Sequence, residues 1–160
     1  MEDRSATPMG LDLGRLRRGE MTAVAGALLV LLGVFVPPWY AASSAQETGV
    51  GPGTAIPAEF GAWSGAGWLG TIGNLIVLAA AIFALGAVIS GARGIEWDGS
   101  GRRLLVLSVA ATAVVVLRML FTPSHLSGYE LEADLRLGIF VTLVGTLLLA
   151  WASWRRLPKR

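Results

Sequence analysis

Few residues of this 160-residue chain have side chains suited to chemistry, and those few gather in two groups. Arg118 and Asn74 each lie within about two helical turns of the end of a long apolar run. A guanidinium and an amide at that depth can form an outward-facing polar site, because ionisable groups inside a membrane need partners. Glu59, Glu130, Glu132 and Asp134 flank the same end, so ion pairing to Arg118, with a hydrogen bond from Asn74, is expected. The structural alternative is an Arg118 that snorkels to the headgroups and only anchors its helix. Trp39, Tyr40, Trp63 and Trp68 form the second group, either an outer aromatic groove for a lipid or glycan or an ordinary interfacial belt.

Absences narrow the chemistry further. Without cysteine there are no disulfides, thiolate metal sites, thiol nucleophiles or acylated lipoprotein anchor. The single histidine, His125, has no second histidine or cysteine to share a metal with, and is expected to face solvent in an outer loop. None of the eleven acidic residues sits deep in an apolar run, where proton coupling would require a carboxylate. No glycine-rich phosphate loop, Ser-His-Asp set or facing pair of carboxylates is present. The expectation is a non-enzymatic protein with no catalytic residue, no metal and no cofactor.

Four apolar stretches must position these groups: 21–36, 68–92, 104–121 and 135–154. Each is roughly 16 to 25 residues long, close to the ~20 that a helix needs to cross a hydrocarbon layer of about 30 Å. With 54% hydrophobic and 15% charged residues and a mean hydropathy of +0.62, the chain has too little polar surface for a water-soluble globule. The fold class expected is all-α: one polytopic, antiparallel four-transmembrane-helix bundle. Its spans fall at about 21–38, 68–92, 103–121 and 128–154. Around them lie a cytoplasmic segment 1–20, an outer loop 39–67, a cytoplasmic loop 93–102 and a basic tail 155–160.

Orientation follows from the basic residues. Arg4, Arg15, Arg17 and Arg18 precede the first run; Arg93, Arg102 and Arg103 join the second to the third; Arg155, Arg156, Lys159 and Arg160 follow the fourth. Eleven of thirteen therefore lie on one side, which the positive-inside rule makes cytoplasmic, with both termini in. The net charge of +2 then reflects topology and contact with the lipid bilayer, and no basic-aromatic module points to nucleic acid. A rival reading of the first run is a signal peptide cleaved after Ala45. Against it, Pro37-Pro38-Trp39-Tyr40 reads as a helix stop followed by an interfacial anchor.

Local signals refine the elements. The Gly-, Ala-, Ser- and Pro-rich segment 43–54 reads as irregular. Pro57 at a first helical position predicts a short interfacial helix over 57–63. Ser127 and Glu130 match a capping box, with Leu126 and Leu131 at the staple positions, so the fourth helix is expected to begin near residue 128. That start would put Glu130, Glu132 and Asp134 in its first turns, where the dipole favours acids. Small residues mark packing faces: Gly73, Val77, Ala80, Ala84, Ala87 and Gly91 in the second run, and the seven-residue pairs Gly26/Gly33 and Gly138/Gly145. Such faces serve an intramolecular bundle or a homo-oligomer.

Pro38-Trp39-Tyr40 closing the first run, Ala62-Trp63 ahead of the Ala/Leu-rich second run, and the exit from Arg118 to Pro123 resemble a group of small uncharacterised four-span proteins common in actinobacteria. The resemblance implies a bacterial plasma membrane and no established activity; the Gly/Ala-rich insertion after Tyr40 departs from it. The functional expectation is an accessory or scaffold subunit with a membrane-protein partner. The alternative is a small-molecule or lipid-binding transport component acting as an oligomer, with Arg118 and Asn74 as its polar lining.

Overall fold

The computed structural model describes residues 18–45, 59–63, 67–93, 100–121, 125–126 and 129–157. Four helices, α1 (Arg18–Phe35), α2 (Gly67–Ala92), α3 (Ser100–Leu120) and α4 (Leu137–Trp154), are joined by strands β1 (Tyr40–Ala45), β2 (Glu59–Phe60), β3 (His125–Leu126) and β4 (Tyr129–Leu135). Three of the helices, at Trp68–Ala92, Gly101–Leu120 and Leu137–Trp154, are long and apolar enough to cross a membrane, whereas the first, Gly19–Phe35, is a shorter apolar helix. The helices form a ring in which α1 and α3 each pack against both α2 and α4. At one end the start of α1 meets the end of α2, where a Glu20 carboxylate oxygen lies 3.3 Å from the position a Cβ would take at Gly91. Gly101 in turn lies against Arg156, so α3 begins where α4 ends. Arg93, Arg102, Arg103, Arg155 and Arg156 share this basic end.

The α1–α4 seam is built by the glycine pairs. A Cβ at Gly26 would stand 2.9 Å from the Gly145 carbonyl oxygen, and one at Gly145 would stand 2.8 Å from that of Gly26. A Cβ at Gly33 would meet Thr142 and come within 3.0 Å of the Gly138 oxygen. The seven-residue repeats therefore face each other across an intramolecular seam at backbone contact, which is how helices associate where lipid gives no hydrophobic drive. On α2 the expected small face is buried at Gly73, Val77, Ala80, Ala84 and Ala87, while Gly91 is exposed. Buried hydroxyls inside the helices are satisfied along their own backbone: Ser108 Oγ donates to Leu104 O at 2.6 Å, Thr142 Oγ1 to Gly138 O at 2.9 Å and Ser153 Oγ to Leu149 O at 2.5 Å.

The opposite end carries a four-stranded antiparallel sheet, order β2-β1-β4-β3, an addition to the expected helical fold, which accounts for most of the described residues. The sequence Tyr129-Glu130-Leu131-Glu132-Ala133-Asp134-Leu135 alternates apolar and acidic with a period of two, the pattern of a strand with one covered face. The 128–154 helix is thus shortened to a start at Leu137. Its N-cap, Arg136, is extended (φ −117°, ψ 172°) and makes no side-chain cap bond; Gly138 N donates instead to Pro38 O at 2.9 Å. The capping box and staple fail because Leu126 is opposite Tyr129 and Leu131 opposite Ala45, long-range pairings that outweigh a local cap. Glu130 and Glu132 are accordingly strand residues, and His125 is in β3 opposite Glu130 rather than in a loop.

Two further corrections concern the first connection. Glu59–Phe60 pairs with β1, and Ala62 and Trp63 form a turn, so the described part of 57–63 is not helical. The glycines at 61 and 65 disfavour that helix, and strand pairing fixes it otherwise. Residues 43–45 belong to β1 rather than to an irregular loop, with a register shift between Ala42 and Ser44; 46–54 lie outside the described residues.

Candidate functional site

The first helix ends because Pro37 and Pro38 have no N–H to give the carbonyls of Gly33 and Val34. The Trp39 indole fills the first gap, donating from Nε1 to Gly33 O at 2.6 Å. The bond carries Trp39 under the end of the bundle, fully buried, and delivers Tyr40, also fully buried, to the start of β1. Trp39 O then accepts from Arg136 N at 2.8 Å, tying β1 to the start of α4. Gly138 is required here, since a Cβ would fall 2.6 Å from Pro37 O and from Trp39 Cδ1 and 2.7 Å from Pro38 O.

Against these two rings lies Arg118, half-buried in the last turn of α3. Its Cζ is 5.3 Å from the centroid of the Trp39 ring and 5.9 Å from that of Tyr40, within cation–π range. Its Nη1 donates to Ala62 O and to Asn74 Oδ1, each at 2.8 Å. Asn74, wholly buried in α2, donates from Nδ2 to the same Ala62 oxygen at 2.8 Å. The triangle fixes the amide orientation: swapping oxygen and nitrogen would set two acceptors face to face at Ala62 and two donors at Arg118. Tyr40 Oη donates to Arg118 O at 3.2 Å. Burial raises the Tyr40 phenol above its ordinary 10.0, and the neighbouring Arg118 charge and hydrogen bond act in the opposite direction.

The sequence placed Arg118 and Asn74 together, and the structure brings them into direct contact. Of the expected carboxylates, the two whose side chains are described, Glu59 and Asp134, do not pair with Arg118 but are exposed on β2 and β4, in a register row with Ala41. Among the described residues the guanidinium is held by the Ala62 carbonyl, the Asn74 amide oxygen and two rings. Glu130 and Glu132 occupy alternate positions of β4 with Asp134; their side chains lie outside the described residues. The aromatic groove is also corrected. Trp39 and Tyr40 are sealed inside as ring walls, whereas Trp63, 6.3 Å from Phe35, and Trp68 are exposed.

Chemically this is a clasp. One guanidinium joins α3 to α2, to the turn after β2 and to the Trp39 and Tyr40 rings, and its Nη1 is spent on two fixed acceptors. Among the described residues no group of three or more His, Cys, Asp or Glu could hold a metal. Comparison with protein-family models, with curated proteins and with solved structures finds no match. The Ala62 carbonyl was invisible to sequence reasoning, because any residue type supplies one. The roles of Trp39 and Tyr40 had a readable signal in the Pro37-Pro38 pair, which strips α1 of its last donors.

Proposed function

We propose that this chain is a four-span protein of a bacterial plasma membrane, both termini cytoplasmic, serving as a non-enzymatic scaffold whose extracytoplasmic sheet docks a membrane-protein partner. The reading is supported by Arg93, Arg102, Arg103, Arg155 and Arg156 at the end of the bundle away from the sheet, and by a sequence in which eleven of thirteen basic residues precede the first apolar run, join the second to the third or follow the fourth. The observation that carries it is the clasp. The strongest polar pair near the membrane boundary is consumed in fastening the sheet to the helices, which favours a rigid platform over a polar path for a transported species. What the sheet presents is acidic: Glu59 and Asp134 are exposed, and Glu130 and Glu132 alternate with Asp134 along β4.

Affinity purification of the C-terminally tagged chain from its native membrane in mild detergent, followed by mass spectrometry, tests the reading. A stoichiometric protein partner is expected, lost from a charge-reversed E130K/E132K/D134K variant that stays folded. Recovery alone or as a homo-oligomer holding a small molecule would reject the scaffold in favour of transport.

A further inference from the structure

The basic end is the counterpart of the clasp. Arg102 and Arg103 open α3 and are exposed, and neither has an ion pair or hydrogen bond among the described residues. They stand at the positive end of the helix dipole, where cations are disfavoured, and the first turn of α3 has no acidic residue to offset them. Arg156 adds a third guanidinium to the same place: a Cβ on Gly101 would lie 3.4 Å from its Cβ, and its Nη2 is shielded from solvent with no hydrogen-bond partner. By contrast Arg155 is engaged, 5.2 Å above the Trp151 ring.

The surface running from these arginines is apolar. Val106, Val109, Ala113, Val116 and Leu120 follow Arg102 at three- and four-residue steps, so they share one helix face, and all are exposed. The α3 span buries 22% of its residues within the chain, against 44% for α2 and α4. Excess positive charge continuous with an uncovered hydrocarbon-length stripe matches one molecule: a phosphate diester on acyl chains.

We infer that the start of α3 is a binding site for an anionic phospholipid of the cytoplasmic leaflet, its phosphate held by Arg102 and Arg103, with the charge of Arg156 beside them, and one acyl chain lying along Val106, Val109 and Ala113. The arginine fork suits phosphate oxygens. The inference rests on the membrane placement proposed above but not on the scaffold role.

The test uses the full chain in maltoside detergent, titrated with phosphatidylglycerol or with phosphatidylcholine of the same acyl chains and followed by native mass spectrometry. One phosphatidylglycerol per chain is expected in preference to phosphatidylcholine. R102Q/R103Q should bind it roughly 30-fold more weakly, from the worth of two arginines at an anionic surface, with an unchanged melting temperature. R102K/R103K should retain most of the binding, and R93Q should match the wild type. Equal uptake of both lipids, displacement by excess inorganic phosphate, or no uptake because Glu96 or Asp98 of the 94–99 connection already satisfies the arginines would each overturn it. Extraction of the chain by alkaline carbonate without detergent would instead refute the membrane placement itself.

Discussion

Arginine is used in opposite ways at the two ends of the bundle. At the sheet end a single guanidinium, Arg118, has two acceptors at 2.8 Å and two aromatic walls. At the basic end Arg102 and Arg103 have no protein partner among the described residues. On the proposed membrane placement, charge at the basic end is a matter of number and sign, read by the membrane potential and the headgroups. At the sheet end it is a matter of position, because a half-buried donor without its acceptors is costly. The same substitution should therefore act differently at the two ends.

The largest difference is expected for the glycines. Gly138→Ala puts a Cβ 2.6–2.7 Å from two carbonyl oxygens and an indole carbon, none of them the tip of a flexible chain. Overpacking of this kind costs about 3 kcal/mol and should appear as a clear fall in melting temperature in detergent. A wild-type melting temperature would mean that the Pro37-Pro38 segment yields freely and that the sheet end is no more rigid than the basic end.

Next comes the clasp. Arg118→Leu removes both Nη1 bonds and strands the buried Asn74 oxygen, for a loss of about 2 kcal/mol. Amide exchange should quicken at β1 and β2 before it does in the helices. If Arg118→Leu were as stable as the wild type while R102Q/R103Q was destabilised, the contrast between the ends would be reversed.

Much of this architecture could be read from the residue pattern, and the part that could not has a physical reason. Apolar run length located the helices, and the seven-residue glycine spacing anticipated a seam that proves to be α1 against α4. The sheet was missed because Ser127 and Glu130 offer a plausible local cap, whereas β4 is specified by its partner β1, far away in the chain. The decisive clue was the two-residue period of Glu130, Glu132 and Asp134, which a helical reading takes as acids at a dipole. In the same way Arg118 and Asn74 could be paired by depth, but their shared acceptor could not be found, because the Ala62 carbonyl is a product of the fold.

A smaller effect should separate the Tyr40 hydroxyl from its ring. Tyr40→Phe keeps the wall under Arg118 and loses one bond of 3.2 Å, a cost of about 1 kcal/mol. Because burial raises the folded-state pKa above 10.0, the folded protein holds this proton more tightly than the unfolded chain does. The associated stability is complete below the unfolded pKa and is lost as pH rises through the folded one. Melting temperatures measured on the alkaline side of 10 should fall more for the wild type than for Tyr40→Phe; parallel curves would show that Tyr40 is open to solvent and the clasp unsealed.

The smallest effect is expected at the basic end and should have the opposite sign. Gly101 sits in the first turn of α3, and a Cβ there meets Arg156 Cβ at 3.4 Å and its carbonyl oxygen at 3.6 Å, ordinary contact distances. Gly101→Ala therefore adds helix propensity without a clash, a gain of up to about 1 kcal/mol, and a slightly raised melting temperature is the outcome to look for. The residue change is the one made at Gly138, and both positions lie near the start of a helix. If Gly101→Ala were as damaging as Gly138→Ala, the ends of α3 and α4 would be locked together as closely as α1 and α4 are, leaving no room for a phosphate beside Arg102 and Arg103.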